Sequence, residues 1–430
     1  MVVNSARRIV EDVACIVCGC VCDDLRAVVE GGRITAMESN CALQAAWFAK
    51  HNVPPPAEPI LVRGQAATLD VAAAEAARIL RAAKLPLVYG LSRSSVPGHR
   101  AAVHLADTIG AVIDTTASTC HGNSIIALQT VGESTCSLGE VRNRADLVIY
   151  WGANPAVSHP RHMERYSLEP RGQFVPQGRA GRKLIVFDIQ ETKTTERADQ
   201  FVRIRPSSDF EVLWALRALV KGVELGTSEV GGVPIDVLGD LAAQLKACRS
   251  GVFFFGRGLS LGRNGHAGVE ALLRLTTELN DHTRFYARRM RIYGDVAGAD
   301  SVLTWQTGFP FSVSLAAGYP RYSPGEYSAD ELLRRREVDA CLLVGSAETQ
   351  TLSPEARAYL KTIPTIALDY PGADRLLPAD VQFTTAVYGL HRRGTAYRMD
   401  EVPIPLRAVA PSPLASDDEV LEAIRAKAAT

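Results

Sequence analysis

The chain has 430 residues, enough to bury a large core and to form roughly two to four domains. Lysine plus arginine and aspartate plus glutamate both total 47, so the formal charge is zero; with no basic block, nothing electrostatic points to nucleic acid or an anionic membrane. Met1–Asp12 is polar and charged, unlike a signal peptide, and no apolar run approaches the ~18 residues a bilayer needs, so a cytoplasmic protein without membrane insertion is expected.

Thiols dominate the amino end. Five of the nine cysteines, Cys15, Cys18, Cys20, Cys22 and Cys41, fall within the first 41 residues, while Cys120, Cys136, Cys248 and Cys341 are scattered. An odd total without a secretion signal argues against a disulfide framework, and clustering argues for a metal. Cys15, Cys18 and Cys22 follow the pattern C-x2-C-x3-C, and Cys41 comes after 18 further residues. Spacing alone fits either a [4Fe–4S] cluster, which needs four thiolates around one inorganic core, or structural zinc in a four-cysteine site. Four thiols within eight residues are hard to explain by packing alone. Gly19 relieves crowding between Cys18 and Cys20, and Cys20 is a fifth thiol for which a bystander's place is open.

Leu25–Val29 and Arg33–Met37 predict two short strands joined by a Gly31-Gly32 turn, and Pro54-Pro55-Pro56 marks a linker. Leu69–Ala83 carries an alanine-rich helical period. Buried strands are predicted at Leu85–Tyr89, Leu147–Tyr150, Leu184–Phe187, Val252–Phe255, Cys341–Val344 and Thr365–Leu368. Runs apolar on both faces, alternating with helices, belong to parallel sheets in an α/β fold. Ligands in such sheets sit beyond the carboxyl ends of the strands. There lie Gly152-Ala153-Asn154-Pro155, Asp188, Gly256-Arg257-Gly258, Gly345-Ser346 and Asp369. Read blandly, Cys120 is a packed thiol, Asp188 a turn cap, and a lone histidine or arginine a satisfied polar group.

The cysteine pattern resembles molybdopterin and tungstopterin oxidoreductases of the formate dehydrogenase type. So do Asp146–Pro155 followed by Ser158-His159-Pro160, Ile185–Asp188 followed by Thr192, Thr194 and Ala198-Asp199, and Gly256-Arg257-Gly258 leading through Gly262 and Gly265 into a helix over Val269–Asn280. More narrowly, Thr119-Cys120-His121-Gly122, Asn143–Asp146, His159–Met163, Leu303–Gly308, Gly318–Tyr322 and Gly394–Asp400 are similar to the B-type subunit of formylmethanofuran dehydrogenase and to that of its bacterial relative, the formyltransferase/hydrolase complex.

The resemblance implies that Cys15, Cys18, Cys22 and Cys41 hold a [4Fe–4S] cluster and that Cys120 is the thiolate on the molybdenum or tungsten of a bis(pterin guanine dinucleotide). His121 and Arg291 would flank that metal, Arg291 as a fixed positive charge for a carboxylate-like C1 unit and His121 as a proton relay. Asn154, Asp188, Gly258 and Gly345 become candidate contacts of the pterin nucleotide. His159, Arg161 and His162 form a polar patch facing either the cofactor or a partner. The expected partners are the A- and C-type subunits, a D-type subunit carrying the pterin domain that 430 residues leave no room for, and a methanofuran-type C1 carrier.

Two places depart from the family pattern. Arg291 is followed by Ile292-Tyr293-Gly294-Asp295-Val296-Ala297-Gly298, where the family reads Gly-His-Tyr-Asn-Val-x-Gly, and Asn123 stands where the family more often has proline. These changes, beside a candidate active-site residue, favour a redox-inactive scaffold subunit; the retained cysteines favour a redox enzyme interconverting CO2 and formate or formylmethanofuran. The alanine- and arginine-rich, lysine-poor composition leans towards the bacterial complex of tetrahydromethanopterin-linked formaldehyde oxidation. The expected architecture is formate dehydrogenase-like: an iron–sulfur cap over 1–56, a discontinuous α/β domain over 57–119 and 250–400, an inserted α/β domain over 120–249, and a tail with a helix over 401–430, with the cofactor between the two α/β domains.

Overall fold

Apolar runs that end in glycine or aspartate become the strands of two parallel sheets in the computed structural model, which describes residues 7–261, 264–374 and 376–429. The chain divides into two units, Met1–Thr119 with Tyr293–Thr430, and Cys120–Ile292.

The first unit opens with three antiparallel strands, Arg8–Val13, Leu25–Glu30 and Arg33–Glu38. The last two turn at Gly31 and Gly32, whose φ values of +56° and +78° suit glycine far better than other residues. The helix Ala42–His51 follows directly after Cys41. A nine-stranded sheet forms the rest. Its five central strands are parallel, in the order Val112–Thr115, Pro86–Gly90, Ala340–Val344, Thr365–Asp369, Val381–Thr384. Pro86–Gly90 and Ala340–Val344 are buried throughout, as expected of strands covered by helices on both faces. The order reverses between these two strands, and such a switch point opens a crevice at the carboxyl ends. Helices Leu69–Ala82 and Val96–Ile109 pack beside the terminal helix Asp417–Ala428, whose Ser416–Glu419 capping box fixes its start. The expected tail is therefore part of this unit's core: Val420, Leu421 and Ile424 are buried against Ala72, Ala76 and Ala102.

The second unit carries five parallel strands in the order Gln200–Arg203, Lys183–Asp188, Leu147–Trp151, Ser250–Phe255, Arg284–Arg289. Its switch point lies between Leu147–Trp151 and Ser250–Phe255. The stretch after residue 250, read in the sequence as returning to the discontinuous domain, instead stays here as far as Ile292. Phe253 and Phe254 register against Ile149 and Tyr150, and Phe253 turns its ring into the core with Phe285 and Trp151. Arg284–Arg289 is an edge strand that the sequence reading missed. Arg284 is exposed, whereas Arg288 and Arg289 are buried and paired: Arg288 donates to Thr135 Oγ1 at 2.6 Å, and Arg289 meets Glu133 at 3.1 Å. Gly262 lies outside the described residues. Among the described residues no helix is long and apolar enough to cross a membrane.

Candidate functional site

The cysteine loop of the first unit is a closed turn, with Cys15 N–H donating to Cys22 O at 2.8 Å and Val21 N–H to Cys18 O at 3.1 Å. Cys18, Cys20, Cys22 and Cys41 are buried and Cys15 is partly so. Burial pushes the Cys15 thiol well up, and its neighbours Cys18, Cys22 and Cys41 push it further. Burial likewise raises Cys41, with Cys18 and Cys22 adding to it. Cys20 is raised first by hydrogen bonds with Cys18 and Cys22, and then by its burial. Four thiols, Cys15, Cys18, Cys22 and Cys41, thus act on one another through space, and Cys20 touches two of them from the side. Thiols that repel one another as anions are stable together only when protonated or when a cation lies among them, and this donor set fits a thiolate-bound cluster. Among the described residues no three His, Cys, Asp or Glu side chains adopt the geometry of ligands to a single shared ion, whereas a cubane takes one thiolate at each of four irons.

Backbone from distant parts of the unit braces this loop. Met399 N–H donates to Gly19 O at 2.8 Å. Gly294 lies against Ile16, between Cys15 and Cys18, so closely that a Cβ there would stand 2.5 Å from the Ile16 carbonyl carbon. The next residue, Asp295, caps the helix Val296–Thr307 by accepting from Gly298 N–H at 3.1 Å, and it also accepts from Tyr397 N–H at 2.5 Å. An asparagine oxygen could accept both bonds, so the carboxylate here keeps a structural task.

In the second unit the strand ends bring three predicted residues to one edge. Asn154 begins the turn after Leu147–Trp151, and its Oδ1 accepts from Thr194 Oγ1 at 2.7 Å. Asp188 closes Lys183–Asp188, half-buried; burial raises its pKa, and its Oδ1 accepts from Ile189 N–H at 2.8 Å. Gly258 N–H donates to Gly152 O at 3.0 Å, and a Cβ on Gly258 would stand 2.7 Å from Gly152 Cα. Only glycine lets these two loops touch.

Cys120 and His121 are both buried, at the end of the short helix Ala117–Cys120 and the start of Gly122–Val131. Asn123, the departure from proline, donates to Ser260 O at 2.8 Å, tying this turn to the loop that follows Gly258. Arg291 is buried just past the end of Arg284–Arg289. Its carbonyl oxygen lies 2.6 Å from His159 Nε2, a contact that no sequence pattern foretold.

Gly345, the fourth predicted nucleotide contact, belongs to the first unit and to its own switch point. It borders a cavity lined by Trp47, Lys50, Arg93, Asp369, Tyr370 and Thr385, among others. Asp369 accepts from Ser346 N–H and Oγ at 2.8 and 2.9 Å. Beside it Glu348, missed in the sequence, is buried; burial pushes its pKa up to about 8, against the opposing pull of Arg93.

Comparison with known proteins gives consistent results. No family model matches the chain. It is 39% identical over 423 residues, 96% of this chain and 97% of the relative, to the B-type subunit of the tungsten-containing formylmethanofuran dehydrogenase 2 of Methanocaldococcus jannaschii. It is 27% identical over 285 residues to the B-type subunit of the formyltransferase/hydrolase complex Fhc of Methylorubrum extorquens, covering 66% of this chain and 74% of that protein. The higher identity to the archaeal protein runs against the leaning of the composition. Among solved structures, the FhcABCD formyltransferase/hydrolase complex of M. extorquens in complex with methylofuran matches with a TM-score of 0.71 and 26% identity over 86% of this chain and 98% of that one. Acetylene hydratase from Pelobacter acetylenicus matches with a TM-score of 0.68 over 97% of this chain and 69% of that one, and at 13% identity it speaks to the fold alone, that of molybdopterin-type oxidoreductases.

Proposed function

The chain belongs to the family of formylmethanofuran dehydrogenase B-type subunits, and on that premise we propose that it is the redox-active subunit of such a complex, interconverting CO2 and formate or the formyl group of a methanofuran-type carrier. The observation that supports this reading is the gathering of Cys15, Cys18, Cys22 and Cys41, largely buried around one closed loop and near enough to act on one another, a donor set that suits a [4Fe–4S] cluster. Bound, a molybdenum or tungsten bis(pterin guanine dinucleotide) would exchange two electrons with the C1 unit, and a [4Fe–4S] cluster would conduct them.

Within this reading Cys120 would supply the thiolate to the metal. His121 holds or releases the proton that formate gains or loses. The Arg291 guanidinium binds the carboxylate and offsets its charge. Asn154, Asp188, Gly258 and Gly345 would be contacts of the pterin nucleotide. The proposed partners are A- and C-type subunits and a D-type subunit supplying the remaining pterin domain, in the cytoplasm.

A scaffold without redox chemistry is the second reading, favoured by the Ile292–Asp295 departures. The capping duty of Asp295 and the packing duty of Gly294 account for two of these positions on structural grounds. Elemental analysis of the complex purified without oxygen separates the two. About four irons and one tungsten or molybdenum per chain support the redox subunit; zinc, or no metal, overturns it in favour of the scaffold.

A further inference from the structure

His159 sits on the short helical turn that begins at Asn154, and it is 1% exposed. One ring nitrogen, Nε2, lies 2.6 Å from Arg291 O, and the other, Nδ1, lies 2.8 Å from Ser158 Oγ. A carbonyl can only accept, so Nε2 carries the proton and donates it. Nδ1 is then a bare acceptor, and the Ser158 hydroxyl hydrogen is shared between it and Asn154 O, 3.1 Å from the hydroxyl. Both nitrogens are satisfied in a single neutral tautomer. Burial keeps the ring neutral, pushing its pKa down to about 4 against the raising effect of the Arg291 carbonyl. The histidine is itself held by backbone: its N–H donates to Pro155 O at 2.9 Å, and its carbonyl accepts from His162 N–H at 2.8 Å. Ser158 N–H closes the same turn onto Asn154 O at 3.0 Å.

The peptide that His159 grips has just left the sheet. The ladder ends at Arg289, and Met290 N–H makes a last bond to Phe255 O at 2.9 Å. We propose that His159 is a positioning residue: through the Arg291 carbonyl it fixes where that arginine's side chain originates, and it ties that placement to the turn bearing Asn154. This rests on Arg291 as the carboxylate-binding group. It adds that the turn bearing Asn154 and the backbone of Arg291 are held together by one side chain.

The test uses the assembled complex with His159→Leu, His159→Gln and Ser158→Ala, each checked for iron, tungsten and molybdenum. Glutamine places an amide N–H where Nε2 stood; leucine has no donor. With metal content unchanged, His159→Leu is expected to raise KM for formate about tenfold, the worth of one strong buried hydrogen bond, with a smaller change in kcat. His159→Gln is expected to recover most of that loss. Hydrogen exchange of the peptide spanning residues 288–296 should quicken in His159→Leu and, more weakly, in Ser158→Ala, which also serves if the leucine variant does not assemble. Unchanged exchange in these variants overturns the tie whatever the activity. So does a KM that stays at the wild-type value in His159→Leu while Arg291→Leu raises it. If Arg291→Leu leaves KM unaltered while exchange in His159→Leu still quickens, the tie stands and the assignment of Arg291 to the carboxylate fails instead.

Discussion

Replacing Gly294 by alanine tests whether the cysteine loop is held to the tolerance of a metal site. A methyl group at this position would stand 2.5 Å from the Ile16 carbonyl carbon and closer still to its oxygen. Carbon atoms rest at about 3.5–4.0 Å, so Ile16 must retreat by roughly 1 Å or more. The obstacle is backbone and cannot rotate away. Ile16 is flanked by Cys15, one residue away, and Cys18, two away, so the shift passes directly to two thiols. Metal–ligand distances tolerate about 0.2 Å, several times less than this displacement. Overpacking alone costs about 1–3 kcal/mol, which the chain can survive. The predicted outcome is a protein that still unfolds cooperatively, with a lowered melting temperature, and that has lost most of its iron. Gly239→Ala is the control: it lies in the helix Ile235–Ala247 with nothing within 4 Å of the added carbon, and it should keep its iron and gain slight stability. Full iron and an unchanged melting temperature in Gly294→Ala would refute the reasoning.

Three further outcomes follow. Cys41→Ser should lose the cluster absorbance and most of the iron while Cys20→Ser keeps both, since Cys20 bonds to Cys18 and Cys22 whereas Cys15 and Cys41 are acted on by Cys18 and Cys22; equal loss in both contradicts the four-thiol assignment. Glu348 holds its proton more tightly folded than unfolded, so it contributes stability below the ordinary carboxylate range that is lost as pH rises towards about 8, on the order of 3 kcal/mol. Arg93, Asp369 and the Ser92 N–H face it, and Glu348→Gln should flatten the fall in urea midpoint from about pH 5 to about 8; a parallel fall in the variant speaks against a protonated Glu348. Arg182 donates to the carbonyls of Ala145, Leu168 and Arg142 at 3.0, 3.1 and 2.6 Å, and to that of Pro170. Arg182→Ala strands these acceptors and should cost about 3 kcal/mol or more in denaturant unfolding; a loss under about 1 kcal/mol means water replaces the guanidinium freely.

Parallel strands were legible in the sequence because they are apolar on both faces and stop at glycine or aspartate, as at Leu147–Trp151 before Gly152 and Thr365–Asp369. Asn154, Asp188 and Gly258 stood out because they follow such runs, and the fold gathers them at one sheet edge. Arg284–Arg289 was not legible, since three arginines in six residues read as surface, and two of them, Arg288 and Arg289, are buried through Thr135 and Glu133, some 150 residues earlier in the chain. Missing that strand removed the reason for keeping residues 250–292 in the second unit. Arg8–Val13 likewise gave no strand signal, because most of its residues, Arg8, Ile9, Glu11 and Asp12 among them, are exposed in a small antiparallel sheet. The tie between His159 and Arg291 spans 132 positions, and nothing local signals a ring nitrogen meeting a remote carbonyl. Ser158-His159-Pro160 was visible as a string, but its task came from geometry alone.

The central claim is that this subunit moves electrons, and dye reduction tests it most directly. The complex, purified without oxygen and given formate and an oxidised viologen, is predicted to reduce the dye; Cys120→Ser should abolish that reduction while leaving the iron content unchanged. A complex that carries its full metal complement, releases formate from a formylated carrier and never reduces the dye would contradict the account.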